Sequence, residues 1–160
     1  MAISSRQIGA ALWSAVRDSA AILAAAQAIF GKAHAAYYAV GGTLSPPAAD
    51  FPQIMVIPQE RDISQQSDLD YSFVVGVILQ TQDAEQGTTN TGVNYTYLKG
   101  FDYVEQLFEL AFAEALGVSS NLKWNRGRIV FDPIGVEGQF SGKAVWSARV
   151  SRVIGAELEL

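Results

Sequence analysis

The sequence predicts one α+β domain, a mainly antiparallel sheet packed against two helices, and three observations carry that reading. The stretch Ala144–Leu160 alternates almost without error: Ala144, Trp146, Ala148, Val150, Arg152, Ile154, Ala156, Leu158 and Leu160 on one parity, against Val145, Ser147, Arg149, Ser151, Val153, Gly155, Glu157 and Glu159 on the other. A period of two marks a strand with one buried and one wet face. Tyr71, Phe73, Val75, Val77 and Leu79 form a second run with the same period. Two further stretches instead repeat at three- and four-residue steps, the spacing of amphipathic helices. With no internal repeat or linker between them, residues 1–160 read as a single two-layer domain in the order α, several β, α, β, β.

The first helix is expected from Ser4, with Gln7 in a capping-box arrangement, through Ile8, Leu12, Val16, Ser19, Leu23, Ala26 and Phe30 to Gly31. His34–Val40 reads as a short strand ended by Gly41 and Gly42, and Leu44–Pro52 is rich in turn formers. Ile54–Ile57 reads as a strand buried on both faces and limited by Pro58. Gln59–Leu69 is polar and reads as a loop or a twisted strand end. Tyr71–Thr81 follows as a central strand, because Val74 and Ile78 add apolar residues to its second face. Asp83–Thr96, rich in Gly, Thr and Asn, exceeds the usual connection length and reads as a long loop, either functional or a tolerated insertion. A second helix is expected from Tyr97 to Leu116, burying Phe101, Val104, Phe108, Ala111, Phe112 and Ala115. Gly117 is its expected cap, and Asp102, Glu105, Glu109 and Glu114 form a solvated face. Ile129–Phe131 is a short strand. The last strand would span roughly 56 Å if straight, so it is expected to bend near Arg152 or Gly155 or to overhang toward another subunit.

Composition excludes several function classes. Apolar residues make up 49% of the chain and charged residues 17%, a packed globular composition with less charge than a free monomer usually carries. Eight Phe, six Tyr and three Trp point the same way, toward extra surface buried in partners. The net charge of −5 with no basic run argues against tight or sequence-specific nucleic-acid binding, and the aromatics of the central strand fall on its core face. Without cysteine there is neither a disulfide framework nor a thiolate metal site. The Ala-rich Ser19–Phe30 stretch is too short and too weakly apolar to span a bilayer, and no signal-peptide pattern opens the chain, so synthesis in the cytoplasm is expected.

Nor do the residues assemble a catalytic motif. The single histidine, His34, lies among alanines and reads as structural. No Gly-x-Ser-x-Gly elbow, phosphate loop or dinucleotide fingerprint occurs. Asp68 and Asp70 flank Leu69 on one strand face with Asp62 nearby, a pattern that admits a cation but is also common at strand starts. No catalytic residue, metal or cofactor is therefore expected.

From Asp50-Phe51-Pro52 into the short strand Gln53–Ile57, across a polar loop to Asp70, and through the longer strand Tyr71–Leu79, the chain resembles the middle of phage tail terminator proteins. The leading helix, the second helix and the closing strands from Trp146 to Leu160 extend that resemblance from Ser4 to Leu160. It implies a structural virion protein: a hexameric ring that caps the tail tube, ends its polymerisation and meets the head-side connector, while DNA passes through without specific binding. Another head-to-tail joining protein, or a small ligand- or metal-binding domain using Asp62, Asp68 and Asp70, are the other readings. For the ring, the expected subunit or partner contacts are Arg61, Asp62 and Asp68, the Asp83–Thr96 stretch with Asp83 and Glu85, and Arg149 and Arg152. Each of these residues also fits plain solvated surface.

Overall fold

The computed structural model describes residues 3–38, 50–62, 68–132 and 138–151, the side chains of 60–62, 68, 69 and 151 excepted. Among these residues the order is α1 (Ser5–Arg17), α2 (Ala20–Phe30), β1 (Ala35–Tyr38), β2 (Gln53–Asp62), β3 (Asp68–Gln80), β4 (Ala84–Thr88), β5 (Asn94–Leu98), α3 (Gly100–Val118), β6 (Leu122–Asn125), β7 (Val130–Phe131) and β8 (Gln139–Ser151). The main sheet runs β1-β2-β3-β8-β6, with β7 also on β8. Only β1 and β2 pair in parallel; the other ladders are antiparallel. The predicted α+β class and its mainly antiparallel sheet hold.

Three helices form where two were expected, because the first breaks. Ser4 and Gln7 make the expected capping box at its start. At Ser19 the side-chain oxygen accepts from the Ile22 N–H at 3.1 Å, and the hydroxyl donates to Glu114 Oε1 at 2.7 Å. Serine satisfies a free helix N–H better as a cap than in a helix interior, so it starts a new helix here. The axis turns by 49° between the two pieces. That break resets the buried stripe: Ile22 is fully buried, whereas Leu23, expected inside, is 36% exposed. Among the described residues no single helix is long and apolar enough to cross a membrane.

The core lies between the helices and one face of the sheet. Tyr71, Phe73, Val75, Val77 and Leu79 of β3 are all fully buried, as their alternation predicts. In register beside them on β8 stand Ala148, Trp146, Ala144, Gly142 and Phe140. Gly142 sets how closely α3 packs: a Cβ there would come within 2.9 Å of Val104 Cγ1. Trp146 anchors an aromatic cluster, with edge-on contacts to Phe112, Phe108 and Trp124 at centroid separations of 5.3 Å, 6.3 Å and 6.5 Å. Edge-to-face geometry sets the positive rim of one ring against the negative face of the next.

Other boundaries differ from expectation. β2 continues past Pro58 to Asp62, its register shifting between Pro58 and Glu60. Beyond Val56 no described strand pairs with the other side of β2, and an edge with a bulge tolerates proline. The Asp83–Thr96 stretch is not a loop but most of a hairpin, β4–β5. Tyr97 and Leu98 belong to that hairpin, so α3 starts only at Gly100, and it runs through Gly117 to a cap at Ser119. Strand β6 is an addition to the expected order. The expected bend near Arg152 or Gly155 lies outside the described residues, as do Val40 and Gly41–Ala49.

Gln53 sits at 0% exposure, and neither side-chain amide atom has a hydrogen-bond partner among the described residues. A buried unpaired amide is destabilising, and an apolar group of like shape removes that cost. Gln53→Met is expected to gain about 1 kcal/mol, raising Tm by about 2–4 °C in a thermal melt. A lower Tm would mean that the amide is satisfied, for instance by a bound water.

Candidate interaction surface

The helices cover one face of the sheet; among the described residues nothing covers the central part of the other. There β2 presents Met55 and Ile57, β3 presents Val74, Gly76 and Ile78, and β7 adds Val130 and Phe131 at the rim. Ladder register explains the grouping. Val74 stands between Ile57 and Val145, and Gly76 between Met55 and Lys143. Gly76 is buried, with Met55 Cε 3.3 Å from where a Cβ would stand, and the side chains around it enclose a depression of about 510 Å³. The expectation that Ile54–Ile57 is buried on both faces is corrected here: Ile54 and Val56 are fully buried, while Met55 and Ile57 remain partly exposed. Val130 and Val145 are 50% and 49% exposed. Lys143 and Asp132 contribute the charge at this groove.

The β4–β5 hairpin projects from the other end of β3. All of its strand residues are exposed except the half-buried Gly87. Alternation puts Glu85, Gly87, Tyr95 and Tyr97 on one face, with Gly87 opposite Tyr95 and Glu85 opposite Tyr97. The Tyr95 ring lies over Gly87 so closely that a Cβ there would run into the phenol oxygen. The turn closes with Thr89 N–H donating to the Val93 carbonyl and with Gly92 at φ +81. Val93, Tyr95, Tyr97 and Leu98 are 46–60% exposed.

At its base the hairpin is tied down. Tyr103 donates to Asp83 Oδ2 at 2.9 Å, the Lys99 N–H donates to the Asp83 carbonyl at 3.0 Å, and Tyr97 donates to Asp102 Oδ1 at 2.7 Å. The bond to Asp102, followed by desolvation and the surrounding carboxylates, raises the Tyr97 pKa above its ordinary value; burial first, then the bond to Asp83, raises that of Tyr103. Asp83, expected as a partner contact, thus holds the arm to the body, while Glu85 stands on its exposed face.

The remaining expected contacts gather at the opposite end of β3. Asp70 is the register partner of both Asp62 and Arg149, Arg61 pairs with Tyr71, and Asp68 pairs with Ser151. Arg149 donates to both Asp70 carboxylate oxygens, at 2.9 and 3.2 Å. That fork occupies the Asp70 carboxylate, which the cation reading would need. Arg152 lies outside the described residues. So the six expected positions that are described divide between the two ends of β3, and the apolar groove between them is a feature the sequence reading does not single out.

Other polar groups look inward. His34 Nε2–H donates to the Val16 carbonyl at 2.8 Å, the structural role expected of it. Of the acidic residues expected as a solvated face of α3, Asp102 and Glu114 are engaged as described, and Glu109 pairs with Arg126. Arg17 is likewise held by Asp18.

No protein-family model matches the chain, and no curated protein matches it. Among solved structures, a chain of the "Virion of native gene transfer agent (GTA) particle" is similar at 18% identity and a TM-score of 0.37, over 90% of this chain and 94% of that one.

Proposed function

We propose that this chain is a structural protein of a phage-like virion, a tail terminator that forms a ring on the end of the tail tube. The ring stops tube growth and offers its far side to the head connector. The observation that carries the reading is a pair of surfaces on a chain poor in charge: a half-buried apolar groove on the sheet with Val130, Phe131 and Val145 exposed beside it, and a projecting hairpin that exposes Val93, Tyr95, Tyr97 and Leu98. A protein whose work is assembly needs such surfaces, and contiguous exposed apolar patches mark contact sites. The sequence resemblance supplies the kind of assembly. The net charge of −5 suits a channel through which DNA slides without adhering. Its place would be the head-proximal end of the tail, after assembly in the host cytoplasm.

The test is direct. Purified protein is added to growing tail tubes, and tube length and end structure are followed by negative-stain microscopy. Rings with a mass near six chains of 17.2 kDa that cap tubes and halt their growth are the expected result. Binding to the head-side connector with no effect on tubes would replace this reading with that of a head-closure protein.

A further inference from the structure

The hairpin and the groove differ in shape and sit on one chain, and no hairpin residue lines the groove. A ring is built from heterologous contacts, in which one patch of a subunit meets a different patch of the next. We infer that the aromatic face of the β4–β5 hairpin seats in the open-sheet groove of a second copy, head to tail. This deepens the ring reading and rests on it.

Shape supports that occupant. The five-residue ladder of the hairpin reaches about 17 Å from its base, far enough to leave the body of its own subunit. Its tyrosines offer large, stiff, amphipathic contact area, the kind that dominates interface energetics. The groove offers the complement: an apolar lining from Met55, Ile57, Val74 and Ile78, with Met55 lying over Gly76. Gly87 keeps the arm thin enough to enter, because Tyr95 folds flat across it.

Charge supports it too. Glu85 is the only charged residue from Ala84 to Leu98, and it shares the face of Tyr95 and Tyr97. Lys143 stands on the groove wall, with Asp132 nearby. Seating the arm with Glu85 toward Lys143 and away from Asp132 fixes one orientation out of two, which is what rim charges do in interfaces.

Because the chain has no cysteine, engineered thiols report the contact cleanly. Tyr95→Cys and Val74→Cys chains are made separately, mixed, and oxidised mildly, with native mass measured in parallel. Mixed disulfide dimers are expected from the mixture, and none from either chain alone or from Tyr95→Cys mixed with Ser120→Cys on an exposed turn. Glu85→Lys and Lys143→Glu should each weaken association about two- to fivefold, and the double variant should restore it. Mixed disulfides at a mass of two chains would keep the contact and overturn the ring. Larger assemblies without mixed disulfides would keep the ring and overturn the contact. A chain that stays monomeric to its solubility limit, with no mixed disulfide, overturns the contact as well.

Discussion

Trp146→Ala is expected to lose about 3–5 kcal/mol of folding stability, the usual cost of deleting a buried indole. The side chain is 1% exposed and touches three aromatic rings from two elements, Phe108 and Phe112 of α3 and Trp124 of β6. It faces Phe73 across the β3–β8 ladder. Removing it leaves a cavity that these rings do not refill, because close-packed neighbours hold each in place. The Phe73–Trp124 contact, 5.9 Å between centroids, is one such restraint. Domains of this size are stable by only about 5–15 kcal/mol, so the variant should unfold at markedly lower denaturant. The adjacent Val145 is 49% exposed on the opposite face. Val145→Ala is therefore the control and should change stability by less than about 0.5 kcal/mol. Equal losses in a urea titration would mean that the two faces of β8 are wrongly assigned.

That contrast between neighbours is the part of the fold most plainly legible in the sequence. Alternation in β3 and β8, unbroken on the core face, decides which residues enter the core, although Val74, Ile78 and Val145 add apolar residues to the other face. Helical spacing likewise identifies the buried stripe of α3, although Leu107 is buried there without having stood out. Punctuation is harder to read. Ser19 inside an alanine-rich run looks like one more small helical residue, yet its hydroxyl caps a helix and bonds across to Glu114, a partner 95 residues away. Pro58 looks like a strand end, but β1 pairs only as far as Val56, so no parallel ladder needs the proline N–H.

The candidate surface is legible in fragments. Asp83–Thr96 stands out as too long for a plain connection, and it proves to be structured. Its strands escape notice because polar alternation carries no hydrophobic signal; Tyr95 and Tyr97 on one face are the available clue. The groove is harder. Met55, Ile57, Val74 and Ile78 read as interior, since apolar residues on both faces of a strand usually mean a strand covered on both sides. Sequence does not distinguish a face covered by the chain itself from one left open for a partner. Charged residues at strand ends are more conspicuous, and at least Asp70 and Arg149 satisfy each other.

Excising the hairpin should separate folding from assembly. Residues 84–98 are replaced by a short Gly-Ser link between Asp83 and Lys99, whose backbones already meet at 3.0 Å. Closing so short a gap costs little entropy. The arm shields no part of the core, and a lone two-stranded ribbon adds little stability in water. Tm is therefore expected to fall by no more than about 2–4 °C, while ring formation and tube capping are abolished. The full chain keeps the arm ordered through local pairs such as Tyr95 over Gly87 and Tyr97 bonded to Asp102. A pre-formed arm enters a groove without first being ordered, which lowers the entropic cost of each contact around the ring. If the excised chain still assembles, the contact between subunits lies elsewhere, and the end of the sheet holding Asp62, Asp68, Asp70 and Arg149 becomes the place to look. If it loses its fold instead, the bond from Tyr97 to Asp102, which the excision removes, carries structural weight that its exposed position does not suggest.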